Sequence, residues 1–362
     1  MTKTKMAVVG CGHLGTIHAR LLAGRDDVEL VAVVDASPDA AARVAQAHGC
    51  LAASDPRDLV GRVAAAVVAT PTGLHASVSI PLLEAGIDLL VEKPIAAEVE
   101  DARAIVTTAR RHGRIVAVGH VERFNPAWKL AVEQIGRPTV IESARLAPFT
   151  FRSMDVGVVH DLMIHDIDLV LSLEPGRLEH LEAHGFAATG GHEDAVKARL
   201  TFASGLVADL TASRISPVLR RTVSIWSATA LATVDFNAKT VEVIGASPGV
   251  QTGRFVASAV PLAERAAMKD AFFTAVLPRQ TLTVPDANAI VCEHDDFLAA
   301  IRTGRAPLVS ASAGAAALEI ANRVIDCLAC TKFGSAHEPP VSIAHPAASP
   351  RPLPSLPRRK TG

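Results

Sequence analysis

Six residues, Gly10-Cys11-Gly12-His13-Leu14-Gly15, constrain what this chain can fold into more than any other stretch. They join an apolar segment at 6–9, read as a short strand, to a helical pattern at 16–23. The turn is G-x-G-x-x-G in the strand-then-helix setting that gives the motif meaning. Gly10 permits the tight turn, Gly12 lets main chain approach a pyrophosphate, and Gly15 lets helix and strand pack closely. The helix start offers free N–H groups and a partial positive charge to phosphates. His13 and Leu14 sit within the turn and are expected to border the same ligand. A second strand, 29–34, ends in Asp35, about 20 residues after Gly15, the spacing this fingerprint expects. A carboxylate there accepts ribose hydroxyls and repels a 2′-phosphate. The four residues after Asp35 hold no arginine, and Arg43 is the one nearby candidate to bind such a phosphate. NAD is therefore expected in preference to NADP.

The alternation continues. A helix is expected over 38–48 and a buried strand over 64–69, which ends in Thr70-Pro71-Thr72-Gly73-Leu74-His75. Thr70, Pro71 and His75 are expected at the nicotinamide side of the cofactor; a plain Pro-Gly turn before a helix fits the residues equally well. After a helix at 77–85 comes Leu89-Leu90-Val91-Glu92-Lys93-Pro94, a strand stopped by a tight turn. Proline lacks an N–H and holds the preceding lysine out of the α region. Lys93 thus lies at a strand's carboxyl end, where open α/β sheets bind ligands. Glu92 reads as orienting the turn, and a bland surface Lys-Pro turn is the alternative. A helix at 98–112 and a strand at 115–118 complete a parallel, doubly wound sheet.

Beyond residue 123 the pattern changes. Strands are expected over 139–147, 178–187, 195–202, 206–213, 222–227, 230–236 and 240–244 with no helices between them, which implies an antiparallel sheet. The chain therefore divides into a Rossmann domain at 1–123, an α+β substrate domain at 124–335, and a disordered Pro-rich tail at 336–362. Late helices at 287–303 and 311–330 are expected to pack back onto the first domain. One helix, 158–173, interrupts the strands and carries the candidate chemistry. Asp161 and His165, four apart, share a face, so the carboxylate can orient the imidazole and raise its proton affinity. With Lys93 arriving from the other domain, this set suits alcohol oxidation: His165 as base, Asp161 as its orienter, Lys93 on the hydroxyl. A surface i, i+4 pair is the bland alternative. His160, Asp166 and Asp168 spread over other helix faces, so no metal is expected.

Composition removes several classes. Net charge is −1, which argues against nucleic acid. Tyrosine is absent, so no tyrosine acid or base can operate. Five scattered cysteines suit a reducing cytosol better than a disulfide framework, and Cys327-x-x-Cys330 reads as core packing within a helix. No apolar run reaches the ~18 residues of a membrane span, so a soluble cytoplasmic protein is expected.

Taken in order, the motifs resemble the Gfo/Idh/MocA oxidoreductase family over roughly residues 5–335. The resemblance rests on the glycine turn, the Thr70-Pro71 loop to His75, Glu92-Lys93-Pro94, Gly119 to Arg123, Asp161-x-x-x-His165, and Phe297-Leu298-Ala299-Ala300-Ile301 with Gly304 and Pro307. It implies a Rossmann domain followed by a large open antiparallel sheet that forms homodimers or homotetramers. It also implies a cis Lys93–Pro94 bond and a catalytic group of Lys93, Asp161 and His165. Substrates in the family are sugars, inositols and nucleotide sugars, and some members are non-catalytic dinucleotide-binding regulators. The stretches 120–126 and 158–168 resemble the branch that oxidises UDP-N-acetylglucosamine at its 3-hydroxyl. Arg123, Asn125, Arg145 and Arg152 are then candidate substrate contacts beside the catalytic group. An inositol or free-sugar dehydrogenase shares the same catalytic set. The tyrosine that many members place in the substrate pocket cannot exist here, and the Pro-rich tail lies outside the family pattern.

Overall fold

In a computed structural model, residues 3–151, 154, 156–189 and 191–332 are described. The first unit runs β1 (Thr4–Val9), α1 (His13–Ala23), β2 (Val28–Val34), α2 (Pro38–His48), β3 (Leu51–Ala53), β4 (Ala65–Val68), α3 (His75–Glu84), β5 (Asp88–Glu92), α4 (Val99–His112) and β6 (Val116–Gly119). Its six strands lie in the order β3-β2-β1-β4-β5-β6, all parallel. The order reverses between β1 and β4, which opens a crevice at the strands' carboxyl ends. Every residue of β4, β5 and β6 is buried, as expected of parallel strands covered on both faces. Helix α2 shows the local logic: Ser37 accepts the Ala40 N–H, Pro38 starts the first turn, and Gly49 at φ 66° closes the last. Strand β3 was not expected. It has three residues, and two of them are exposed, so no apolar period marks it.

The second unit comprises α5 (Pro126–Gln134), β7 (Pro138–Leu146), α6 (Ile164–Leu171), β8 (Leu178–Ala187), β9 (Ala195–Phe202), β10 (Val207–Ser213), β11 (Arg220–Ser227), β12 (Ala230–Asp235) and β13 (Thr240–Gly245). Two short helices, α7 (Pro248–Gln251) and α8 (Arg265–Asp270), precede β14 (Arg279–Leu282), α9 (Ala289–Thr303), α10 (Ala311–Asp326) and β15 (Leu328–Lys332). Nine strands form one sheet, β14-β13-β12-β11-β7-β10-β9-β8-β15. It is mostly antiparallel, but β7–β10 and β8–β15 pair in parallel, which the strand pattern alone did not reveal. Alternate residues, such as Val196, Ala198, Leu200 and Phe202 of β9, meet Ile164, Ile167, Ala321 and Val324 in one core.

Two expected helices are corrected. The stretch 158–173 is a π-helical turn, Val159–Met163, followed by α6. The helix expected over 311–330 stops at Asp326, and the chain enters β15. Gly185 of β8 makes this possible, because a Cβ there would lie 2.7 Å from Leu328 Cδ1. Cys327 therefore closes a helix at an exposed position instead of packing in a core.

The late helices do return to the first sheet. Phe297 and Leu298 of α9 join Met6, Val8 and Leu22, while Leu318 of α10 joins Val91 and Val118. Ala317 and Val324 of α10 belong to the second core, so α10 is shared by both. The expected tail at 336–362 lies outside the described residues. Among the described residues, no helix is long and apolar enough to cross a membrane.

Candidate active site

The glycine turn is shaped by contact. Gly10 has φ 98°, and a Cβ on it would stand 2.4 Å from the Ala69 carbonyl oxygen. A Cβ on Gly15 would stand 1.8 Å from the Gly10 oxygen. A Cβ on Gly12, by contrast, would meet nothing within 4 Å, and no side chain caps α1. Open space above unsatisfied helix amides is what a pyrophosphate needs. Asp35 accepts the Cys11 N–H at 2.7 Å and the Ser37 N–H at 2.8 Å, fixing its carboxylate at the end of β2. Burial, then the charge of Asp35, pushes the Cys11 thiol up to about 11, so it stays neutral. These residues fit a bound dinucleotide.

A cavity of about 700 Å³ lies between the two units. His13, Leu14, Glu92 and Lys93 line it from the first, and Arg145, Asp161, His165 and Arg221 from the second. Gly10, Gly12, Gly15, Asp35, Thr70, Pro71 and His75 do not line it. His75 is buried, with Nδ1 2.9 Å from the Pro94 oxygen and Nε2 2.9 Å from the Thr70 oxygen. It ties the β4 loop to the lysine turn.

The Lys93–Pro94 bond is cis. Lys93 Nζ crosses to the second unit and donates to the Asp161 carbonyl at 2.7 Å, with Asp161 Oδ1 at 3.4 Å. Glu92 does orient the turn: its Oε2 accepts the Lys93 N–H at 3.2 Å. Its Oε1 lies 2.8 Å from His18 Nε2, and His18 Nδ1 lies 2.7 Å from His294 Nε2. Burial alone would raise the Glu92 carboxyl; hydrogen bonding and charge from His18, then Lys93, outweigh it and hold it below the usual range. Burial, then the charges of His18 and Arg25, pushes the His294 imidazole down to about 3.

His165 faces the same cavity, its Nδ1 shielded and without a partner among the described residues. Burial, then the charges of Lys93 and Arg145, hold it well below the ordinary histidine value. This reverses the expectation of a raised proton affinity. Among the described residues no hydrogen bond joins Asp161 to His165; the carboxylate is turned to Lys93. The wider π-turn containing Asp161 removes the α-helical i, i+4 alignment that the expectation assumed.

Arg123 and Asn125 do not line the cavity. Arg123 makes a two-pronged contact with Asp168, at 2.7 and 3.0 Å, and Asn125 caps α5 through the Ala127 N–H. Arg145 does line it, braced by Asp166 at 2.8 Å and Glu122 at 3.0 Å. Arg152 lies outside the described residues. The lining residues that the sequence did not single out include Arg221, exposed and without an acidic partner among the described residues, and Glu293 of α9. Asp166 and Asp168 are engaged by arginines, and His160 bonds Asn322 at 2.7 Å.

Residues 4–120 match the model of the Gfo/Idh/MocA oxidoreductase family, NAD-binding Rossmann fold, and residues 130–232 match its C-terminal domain. UDP-N-acetylglucosamine 3-dehydrogenase of Acidithiobacillus ferrooxidans is 33% identical over 329 residues, covering 88% of this chain and 97% of that protein. This chain belongs to the Gfo/Idh/MocA family. A solved structure of that Acidithiobacillus enzyme superposes with a TM-score of 0.79 at 31% identity, covering 91% of this chain and 98% of the other. The scyllo-inositol 2-dehydrogenase (NAD(+)) of Bacillus subtilis is 29% identical over 234 residues, 59% of this chain and 68% of that protein. As a Gfo/Idh/MocA member the chain is an oxidoreductase with an NAD(P)-binding Rossmann domain and a second, mostly antiparallel sheet.

Proposed function

We propose that this protein oxidises a secondary hydroxyl of a nucleotide sugar, UDP-N-acetylglucosamine at C3 being the first candidate, with NAD as hydride acceptor. The observation that carries the reading is the Lys93–Asp161 contact, which brings a lysine from one unit and His165 from the other into one cavity. His165, kept neutral by burial and the neighbouring cations, has a free lone pair to accept the hydroxyl proton. Lys93, braced on Asp161, donates a hydrogen bond to the substrate oxygen as negative charge develops there. Bound NAD supplies the site that takes the hydride. The C–O bond becomes C=O, and the hydroxyl proton ends on His165.

Arg221 favours an anionic substrate. It lines the cavity and forms no ion pair among the described residues; a neutral inositol would give it nothing to pair with, whereas a diphosphate would. Asp35 favours NAD, since a 2′-phosphate would approach a fixed carboxylate of like charge. The open face of the nine-stranded sheet, where Trp226 is exposed, is the surface we assign to a homodimer or homotetramer. The test is a turnover panel following NADH absorbance, with UDP-sugars, free sugars and inositols against NAD and NADP. UDP-N-acetylglucosamine with NAD should give the highest kcat/KM. Turnover confined to inositols or free sugars would replace the nucleotide-sugar reading, and no turnover with any substrate would point to a dinucleotide-binding regulator.

A further inference from the structure

A buried acid in the cavity wall has no part in that mechanism. Glu293 of α9 is 2% exposed, yet it lines the cavity, and its Oε1 is shielded with no hydrogen-bond partner among the described residues. The next residue, His294, is hydrogen-bonded to His18 of α1, so Glu293 is held beside the helix whose uncapped start receives the pyrophosphate. In the cavity wall its company is His13 and Leu14 at that start, Ile290 one turn back, and Glu92 with Lys93 at the end of β5. A ligand spanning the α1 start and Lys93 is the dinucleotide, not the sugar.

We infer that Glu293 is a cofactor-binding residue whose carboxyl group donates a hydrogen bond to the nicotinamide half of the bound dinucleotide. A buried oxygen without a protein partner is costly unless a ligand completes it. The titratable groups on the surrounding elements are His13 and His18 on α1, Glu92 and Lys93 on the β5 turn, His294 and Asp296 on α9, and Glu122 with Arg145 opposite. No cation hydrogen-bonds Glu293 among the described residues, and Glu92 already holds the ionised position through His18. Burial, then the charges of Glu92 and Asp296, raise the Glu293 carboxyl well above its usual range. Two carboxyls in one wall are thus driven apart, Glu92 ionised and Glu293 neutral. A neutral acid presents an O–H donor beside a carbonyl acceptor. That pair is complementary to a primary carboxamide, which carries an N–H donor beside a carbonyl.

This rests on the dinucleotide-binding assignment and is independent of which sugar is oxidised. The test is therefore NADH affinity without any sugar, followed by NADH fluorescence between about pH 6 and pH 10. Wild-type affinity should fall as pH rises through the raised Glu293 pKa, because ionisation removes the donor and places a second anion beside Glu92. Glu293→Gln keeps a donor and an acceptor in the same volume. It should bind NADH within about twofold of wild type and lose that pH dependence. Glu293→Ala should weaken NADH about 5- to 20-fold at neutral pH, the scale of one lost buried hydrogen bond. NADH affinity unchanged in Glu293→Ala would overturn the inference. So would Glu293→Gln retaining the wild-type pH profile.

Discussion

His165 is the residue whose environment most changes what is expected of it. An imidazole beside a carboxylate would hold its proton more tightly, but this one is buried, sits with Lys93 and Arg145, and holds its proton less tightly. A base must be unprotonated, so lowering its pKa extends activity toward acid. The acid limb of kcat/KM for oxidation should therefore lie below the ordinary histidine value of 6.5. His165→Asn should lower kcat at least about 100-fold and abolish that limb. A limb at or above 6.5, or one that survives the substitution, would remove His165 as the base. On the proposed mechanism, Lys93→Met keeps most of the side chain's length but removes the donor to the substrate oxygen. It should lower kcat about 100- to 1000-fold while NADH affinity stays within a fewfold of wild type. That Lys93 and His165 would share one cavity was legible because their spacing from proline, aspartate and the glycine turn is written along the chain. Arg123 was misplaced for the converse reason. Its partner Asp168 lies 45 residues away and is found only by folding.

At the scale of elements, three pieces far apart in sequence meet behind the lysine turn: α1 through His18, β5 through Glu92 and α9 through His294. Each donates or accepts from the next, and all three side chains are buried. Breaking the chain at His18 leaves the Glu92 charge buried and unpaired. His18→Phe should therefore lower unfolding free energy by about 3–5 kcal/mol, the usual cost of removing one partner of a buried pair. The pH dependence has a definite sign. The folded-state Glu92 pKa is depressed, so its stabilisation is complete above the unfolded value near 4.5 and fades as pH falls through the folded value. Urea denaturation of wild type and His18→Phe at neutral and acid pH would show the gap closing below about 4.5. A gap that persisted unchanged in acid would assign the loss to packing alone. The sequence did show a trace of this arrangement. Glu293 lies one turn before Phe297 on the buried stripe of α9, and an acid on an apolar stripe marks a site. What no periodicity could show is the end of α10, since β15 exists only because Gly185 leaves room for Leu328 and β8 offers an edge.

Across the whole molecule, the candidate site depends on two sheets built by different rules being held in register. The parallel sheet carries the glycine turn and Lys93; the mostly antiparallel one carries Arg221 and packs against the π-turn and α6, which carry Asp161 and His165. Both architectures follow from the spacing of apolar runs, with helices between them in one half and without in the other. Their alignment comes from α10, which buries Leu318 in the first core and Ala317, Ala321 and Val324 in the second. Gly314 lets that helix approach β6, since a Cβ there would lie 2.7 Å from Val118 Cγ2. Gly314→Val forces α10 outward and should cost about 1–3 kcal/mol in stability through overpacking. The glycine turn and Asp35 lie on the opposite half of the parallel sheet, so NADH affinity should change less than about threefold. The Lys93–Asp161 contact spans the seam that α10 aligns, so kcat/KM for the sugar should fall more than about tenfold, the penalty for a small misplacement of reacting groups. Equal losses in NADH affinity and turnover would show instead that α10 supports the first sheet alone.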